Sequence, residues 1–321
     1  MACPSGLSRQ RTPRTRDSGR TRRRVGDLVD LLAPQAVLSG IAAGSVYGLV
    51  GVGFSVSFRT TGVINIATGD LVAMGAYLTF WGLSVGLPLP VAIVVAALIV
   101  GLGMGIVERL ALRPLYRFGT VYAIMSTIGL SVALQSLIQL VWGPVALVIP
   151  RLVPGEAFTI LGFRLSLAQI FNLVLALVLI LGMVLLLERT KIGRGMQTVA
   201  RDRELASLLG IRPSQLFFLA FALAGVLAAV AGALIGPDQG LTPTMGLPLG
   251  IAGFTAAVIG GLGSPLGALA GGMVLAVAQN LAVLYLTPDY KAALAYGLLV
   301  LVLLVRPQGL FGEAGALARR V

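Results

Sequence analysis

Six stretches of this chain, 31–58, 71–107, 118–150, 165–187, 213–237 and 239–288, contain no Asp, Glu, Lys or Arg. No other feature limits its possible folds as severely. A helix crossing a bilayer needs about 20 consecutive apolar residues, and each stretch is longer than that or just meets it. Barrel strands would instead alternate lipid-facing and lumen-facing side chains over about ten positions, whereas these runs are continuous and rich in Leu, Ala and Val. The mean hydropathy of +0.95 and the charged fraction of 11% agree. The chain reads as an all-α, polytopic transmembrane helix bundle. Breaks at Pro, Gly and charge place spans near 34–58, 62–82, 89–112, 120–142, 165–187, 214–236, 248–262, 265–286 and 292–306. That makes about 8–9 crossings, with some segments broken or re-entrant.

The net charge of +12 is unevenly placed. Residues 1–24 hold eight arginines and one aspartate, a net +7, without the apolar core of a signal peptide. An Arg-rich arm suits nucleic acid or anionic lipid, but its composition predicts a disordered tail over 1–30 and no nucleic-acid partner. A natural start nearer Val25 is the other reading of the arm. The transmembrane domain then covers 31–312, with membrane lipid around it, and 313–321 forms a second tail. Arg109, Arg113 and Arg117 mark one loop, and Arg189, Lys191, Arg194, Arg201, Arg203 and Arg212 mark another, two spans later. Arg306, Arg319 and Arg320 fall on the same side, which the excess of basic residues makes cytoplasmic. Counting back three spans places the N-terminal arm outside, against that rule.

Several chemistries are excluded. Cys3 is the only cysteine and there is no histidine, so no intrachain disulfide, Ser-His or Cys-His pair or zinc-binding cluster can form. Neither Lys191 nor Lys291 ends a phosphate-binding GxxxxGK[ST] loop. The serines in Gly129-Leu130-Ser131 and Gly263-Ser264 have no base to activate them. The chain reads as no enzyme, with no metal and no cofactor of its own.

Small residues recur at helical spacing, at Gly40, Gly44 and Gly48, at Gly101 and Gly105, and at Gly263, Gly267 and Gly271. This is a packing pattern for helices in lipid. Two stretches break the apolar pattern more deeply. "TGVINIATGDLVAMGAY" (61–77) sets Asn65, Thr68, Gly69 and Asp70 together, and "GGLGSPLGALAGG" (260–272) contains Gly263, Ser264 and Pro265. Unwound backbone survives at membrane depth only where protein or a water-filled cavity satisfies it, so both are candidate lining of a translocation route. Asp70 is a functional candidate because a carboxylate in a membrane costs several kcal/mol; capping or local pairing near an interface is the alternative. Gln135 and Gln139, at i and i+4, face either that route or a neighbouring helix.

The segment 189–213 is long and polar. Asp202 can cap a helix within it, and Gly210 followed by Pro213 ends it. Leu205, Leu208 and Leu209 form an apolar stripe suited to a groove on a partner, or simply one face of an amphipathic loop.

Glu204-Leu205-Ala206-Ser207-Leu208-Leu209-Gly210 resembles the EAA-xxx-G motif of ABC-importer permeases, with Leu205 at the second position. From about Gly40 to Gly312 the chain is similar to the branched-chain amino-acid permease subfamily. The similarity rests on "TGVINIATGDLVAMGAY", "LRPL" (112–115), "GRGMQTVARDRELASLLGI", "AGFTAAVIGGLGSPLGALAGG" and "LVRPQGLFG" (304–312). Where that family usually shows His and Glu in the second-span motif, this chain has Thr68 and Asp70. The resemblance implies a multi-pass permease of the bacterial inner membrane that imports branched-chain or related amino acids. It also implies two ATP-binding partner subunits carrying ATP and Mg, a second permease subunit in a heterodimer in preference to a homodimer, and an extracytoplasmic substrate-binding protein. Arg201, Asp202, Glu204, Leu205, Ala206, Leu208, Leu209 and Gly210 would then form the ATPase-coupling helix. The alternatives are a stand-alone secondary transporter or channel for a small amphipathic solute, or the same ABC architecture importing urea or short amides.

Overall fold

The computed structural model describes residues 18–149, 158–160, 163–285, 290–306 and 308–311. The chain opens with α1 (Ser18–Thr61), α2 (Thr68–Ser84) and α3 (Leu89–Val107). A π turn (Glu108–Leu112) and a 3-10 segment (Arg113–Phe118) prolong α3 towards α4 (Thr120–Trp142). A hairpin of three-residue strands, β1 (Phe158–Ile160) and β2 (Phe163–Leu165), precedes α5 (Leu167–Arg189). Two short helices follow, α6 (Lys191–Arg201) and α7 (Arg203–Leu208), and then α8 (Pro213–Gln239), α9 (Gly246–Gly260), α10 (Pro265–Tyr285) and α11 (Tyr290–Val305). The bundle is all-α but for the hairpin. Residues 18–30 of the expected tail run as the first turns of α1; 1–17 and 313–321 lie outside the described residues.

Local chemistry sets the boundaries. Pro213 and Pro265 open α8 and α10 at a position where a missing N–H leaves no helical bond unmade. Ser166 and Gln169 form a reciprocal capping box at the start of α5, each accepting from the other's backbone N–H at 3.2 Å. Gly62, at φ +74°, terminates α1, and its N–H donates to Phe58 O at 2.8 Å.

Six helical segments are long and apolar enough to cross a membrane: Ala33–Thr61, Leu89–Tyr116, Val121–Trp142, Leu167–Arg189, Pro213–Gln239 and Pro265–Tyr285. The shorter α9 and α11 are apolar too, and α2 has 17 residues. All nine expected segments therefore contain a helix, the second from Thr68 instead of 62, but only six reach spanning length, and the protein is a multi-pass membrane protein. The windows in α1 and α8 are each 72% buried, against 22% for that in α4, so α1 and α8 form the centre and α4 the periphery.

The glycine spacings are packing contacts. A Cβ at Gly44 would lie 2.5 Å from Met273 Cα, and one at Gly48 would lie 2.8 Å from Leu269 Cα, so α1 and α10 touch through their backbones. Gly105 makes room for the Phe218 ring of α8, and Gly271 for the Ala256 carbonyl of α9.

Arg59, Arg113 and Arg203 gather at one end. Arg59 reaches Gly263 O at 3.4 Å in the α9–α10 turn, Arg113 reaches Ser214 O at 2.6 Å, and Arg203 reaches Thr61 O at 2.9 Å. Leu310 and Phe311 dock here as well, with Leu310 N–H donating to Ile259 O at 2.7 Å and Phe311 N–H to Gly260 O at 3.1 Å. Those bonds satisfy carbonyls at the end of α9 that have no helical partner. Ala36, by contrast, bonds Asn280 near the other end of α10. The N-terminal part of α1 therefore lies opposite the basic end, as counting spans from the loops requires.

Candidate functional site

After Thr61 the chain runs non-helically through 62–67 before α2 begins inside the bundle. Thr68 hydroxyl donates to Asn65 O at 2.7 Å, and Asn65 Oδ1 accepts from Ala67 N–H at 3.2 Å. This local network substitutes for the missing helical bonds. Asn65 is fully buried, and its Nδ2 has no hydrogen-bond partner in the structure. Asp70, third residue of α2 and 1% exposed, sits where a carboxylate suits the helix dipole.

Helix α4 clasps this break with one polar stripe. Thr127 Oγ1 accepts from Ile66 N–H at 3.2 Å. Ser131 Oγ donates to Asp70 Oδ2, and Gln135 Nε2 donates to Asp70 Oδ1 at 3.0 Å. Residues 127, 131 and 135 recur every fourth position and so share a face. Asp70 thus has neutral donors on both oxygens. The only ion pair among the described residues is Arg113–Glu108, 2.7 Å apart. Helix α9 closes the other side: Cβ atoms at Gly69 and Gly246 would lie 2.2 Å from Gly246 O and 2.4 Å from Asp70 Oδ1. Its first residue thus also begins within the bundle, after 240–245.

The expected route residues separate into two groups. Asn65, Thr68, Gly69, Asp70 and Gln135 come together. Gln139 is exposed one turn beyond Gln135. Gly263, Ser264 and Pro265 lie at the basic end, where Ser264 Oγ accepts from Gly267 N–H at 3.1 Å and caps α10. The stretch 260–272 is therefore a non-helical turn at 261–264 followed by the tightly packed start of α10. Sequence reading weighed Ser131 only as a nucleophile and passed over Thr127; continuing the Gln139–Gln135 spacing back along α4 reaches both.

The polar connector is two helices. At Asp202 the backbone is extended (φ −154°, ψ 116°), and its Oδ1 accepts from Glu204 N–H at 2.8 Å and Leu205 N–H at 3.0 Å. That side chain both ends α6 and caps α7. Ala206 is fully buried against Val199 and Phe217. Gly210, at φ +77°, turns the chain so that Ile211 N–H donates to Ala206 O at 3.0 Å. Arg201 and Glu204 are exposed, and so are Leu205, Leu208 and Leu209, at 53%, 81% and 67%. Three large apolar side chains thus project from a polar segment at the basic end.

Residues 36–303 match the family model "Branched-chain amino acid transport system / permease component". The chain is 34% identical over 293 residues to the high-affinity branched-chain amino acid transport system permease protein BraD of Pseudomonas aeruginosa, covering 87% of this chain and 95% of that protein. It is 33% identical over 295 residues to LivH of Escherichia coli, with the same coverage. The solved structure of PsaBC from Streptococcus pneumoniae in complex with Fab is similar in fold, with TM-score 0.50, 11% identity and 92% of this chain and 99% of that chain covered. With the apolar bundle, the interrupted second span and the capped helix on its basic end in place, the chain belongs to the family of branched-chain amino acid transport permease components.

Proposed function

We propose that this chain is one permease subunit of an ATP-driven importer of branched-chain or related amino acids in the bacterial inner membrane. The observation that carries this reading is the exposed Leu205, Leu208 and Leu209 on a helix fixed at both ends, by the Asp202 cap and the Gly210 turn. Apolar side chains displayed by a helix are how grooves on partner proteins are filled. Two ATP-binding subunits, which carry ATP and Mg, are that partner; an extracytoplasmic binding protein delivers the amino acid, and a second, related permease completes the pair. The basic end faces the cytoplasm. The knot of Asn65, Thr68, Gly69, Asp70 and Gln135 borders the moving part of the route.

Nucleotide binding drives such a machine only by favouring one facing of the route over the other. The test is uptake of labelled leucine into proteoliposomes. Vesicles holding both permeases and both ATP-binding subunits should concentrate leucine with ATP and the binding protein, and Leu208→Asp should abolish co-purification of the ATP-binding subunits. Accumulation by vesicles holding this chain alone, without nucleotide, would overturn the reading in favour of a secondary transporter or channel. Urea or a short amide accumulating in place of leucine would move the substrate class.

A further inference from the structure

Arg203 stands outside the stripe that faces a partner, yet it joins three elements. Its backbone starts α7, Nη2 donates to Thr61 O at 2.9 Å, and its guanidinium lies 5.0 Å above the Phe217 ring of α8. The Tyr116 ring, in the 3-10 segment after α3, meets Phe217 edge-on at 5.9 Å. Thr61 is the last residue of α1, so its carbonyl has no helical donor. A cation there completes that end and suits the dipole of α1. The chain beyond Thr61 is the non-helical 62–67 segment, clasped by Thr127 and leading into Asp70. An arginine is needed for this pair of contacts, because its planar fork reaches a carbonyl while its face stacks on a ring; a lysine holds one or the other.

We propose that Arg203 is the positioning residue that carries movement of α7 into the α1–α2 break, so that docking of a partner on α7 is felt at Asp70. This rests on α7 being the docking segment for the ATP-binding subunits. A displacement of α7 pulls on a backbone atom next to Gly62, whose left-handed conformation and non-helical successors make the break the most readily deformed part of the path. A second anchor of α7, Ala206, is apolar and packs against Val199 of α6 and Phe217 of α8.

The test uses the complete complex. Cys3, the only cysteine, is replaced by serine, and Ile66→Cys places a single thiol in the break for labelling by a membrane-permeant maleimide. With Arg203 present, ATP should change the labelling rate at least about fivefold, the lower range of coupling between distinct sites. Arg203→Ala should retain the ATP-binding subunits and their hydrolysis but lose the ATP-dependent change in labelling and most uptake per ATP hydrolysed; Arg203→Lys should fall between. An unchanged response in Arg203→Ala refutes the assignment. So does loss of co-purification in both Arg203 variants, which would make Arg203 part of the docking surface instead. If the parent complex itself neither assembles nor responds to ATP, the docking reading of α7 fails, a result separate from either Arg203 outcome.

Discussion

The approach of α2 to α9 at Gly69 makes the most exacting prediction. A Cβ there would lie 2.2 Å from Gly246 O, 2.7 Å from Gly250 Cα and 2.9 Å from Gly250 N. Carbon–oxygen contacts between closely packed backbones settle near 3.3–3.6 Å, so Gly69→Ala forces the two helices apart by about 1 Å. All three obstructing atoms are backbone, so no side chain can rotate away. Overpacking of this kind costs about 1–3 kcal/mol, and the upper part of that range is expected because the displacement also strains the bonds from Ser131 and Gln135 to Asp70. Gly250→Ala, whose Cβ would lie 2.9 Å from Gly69 Cα, should cost less. Gly129 in α4 has nothing within 4 Å of its missing Cβ, so Gly129→Ala should be neutral or stabilising by up to about 1 kcal/mol through helix propensity. Reversible unfolding of the purified permease in mixed micelles by SDS, followed by far-UV circular dichroism, gives the order. Equal stability of Gly69→Ala and Gly129→Ala would show that α2 and α9 are not in backbone contact, and the geometry built around Asp70 would fall with it.

Other substitutions test the remaining contacts by the same unfolding measurement. Asp70→Ala leaves the Ser131 and Gln135 donors without their acceptor and should cost about 1–3 kcal/mol for each stranded group; Asp70→Asn should cost less, since the Ser131 hydroxyl can turn to accept from the new amide. Equal losses in the two variants would contradict the bonding pattern. Arg113→Met strands the fully buried Glu108 carboxylate and should cost about 3 kcal/mol. Adding Glu108→Gln should recover part of that loss, and no recovery would mean that Arg113 acts through Ser214 alone. Asp202→Ala removes two bonds at the start of α7, worth about 1 kcal/mol locally, and should raise amide exchange across 203–208 before global stability changes. Unaltered exchange there would remove Asp202 from the capping role.

The bundle was legible because its signal is additive. Each apolar run from 31–58 to 239–288 is long enough to declare helix without help from its neighbours, and each is found as one helix or, in 71–107 and 239–288, as two. Segment ends fared well where the chain carries its own stop, as at Asp202 and Gly210, whereas the second span, expected from 62, begins at Thr68. What could not be read was pairing across distance. Ser131 looks like any serine in a glycine-containing helix until α4 is laid against α2, and Arg203 looks like one cation among six in 189–213 until Thr61 lies beside it. The glycine-rich 260–272 is ambiguous for the opposite reason: glycine permits both unwinding, as at 261–264, and close helix approach, as of Gly267 and Gly271 to Gly260 and Ala256.

The same physics bears on two of the short apolar helices of this bundle, α2 and α9. At about 1.5 Å per residue, the 17 residues of α2 and 15 of α9 rise roughly 25 and 22 Å, below the ~30 Å hydrocarbon thickness. Non-helical backbone must supply the difference, and within a bilayer that is tolerated only where protein satisfies it. Both segments meet that condition. Ile66 N–H is received by Thr127, and Leu241 exchanges both backbone bonds with Leu147, at 2.8 and 3.0 Å. A rigid helix would resist changes in length or direction at these points, whereas a side-chain acceptor and a two-residue bridge can be released and remade at modest cost. The two interruptions adjoin the two helices that meet at Gly69 and Gly246, so any rearrangement of one is transmitted to the other through backbone contact rather than through flexible side chains.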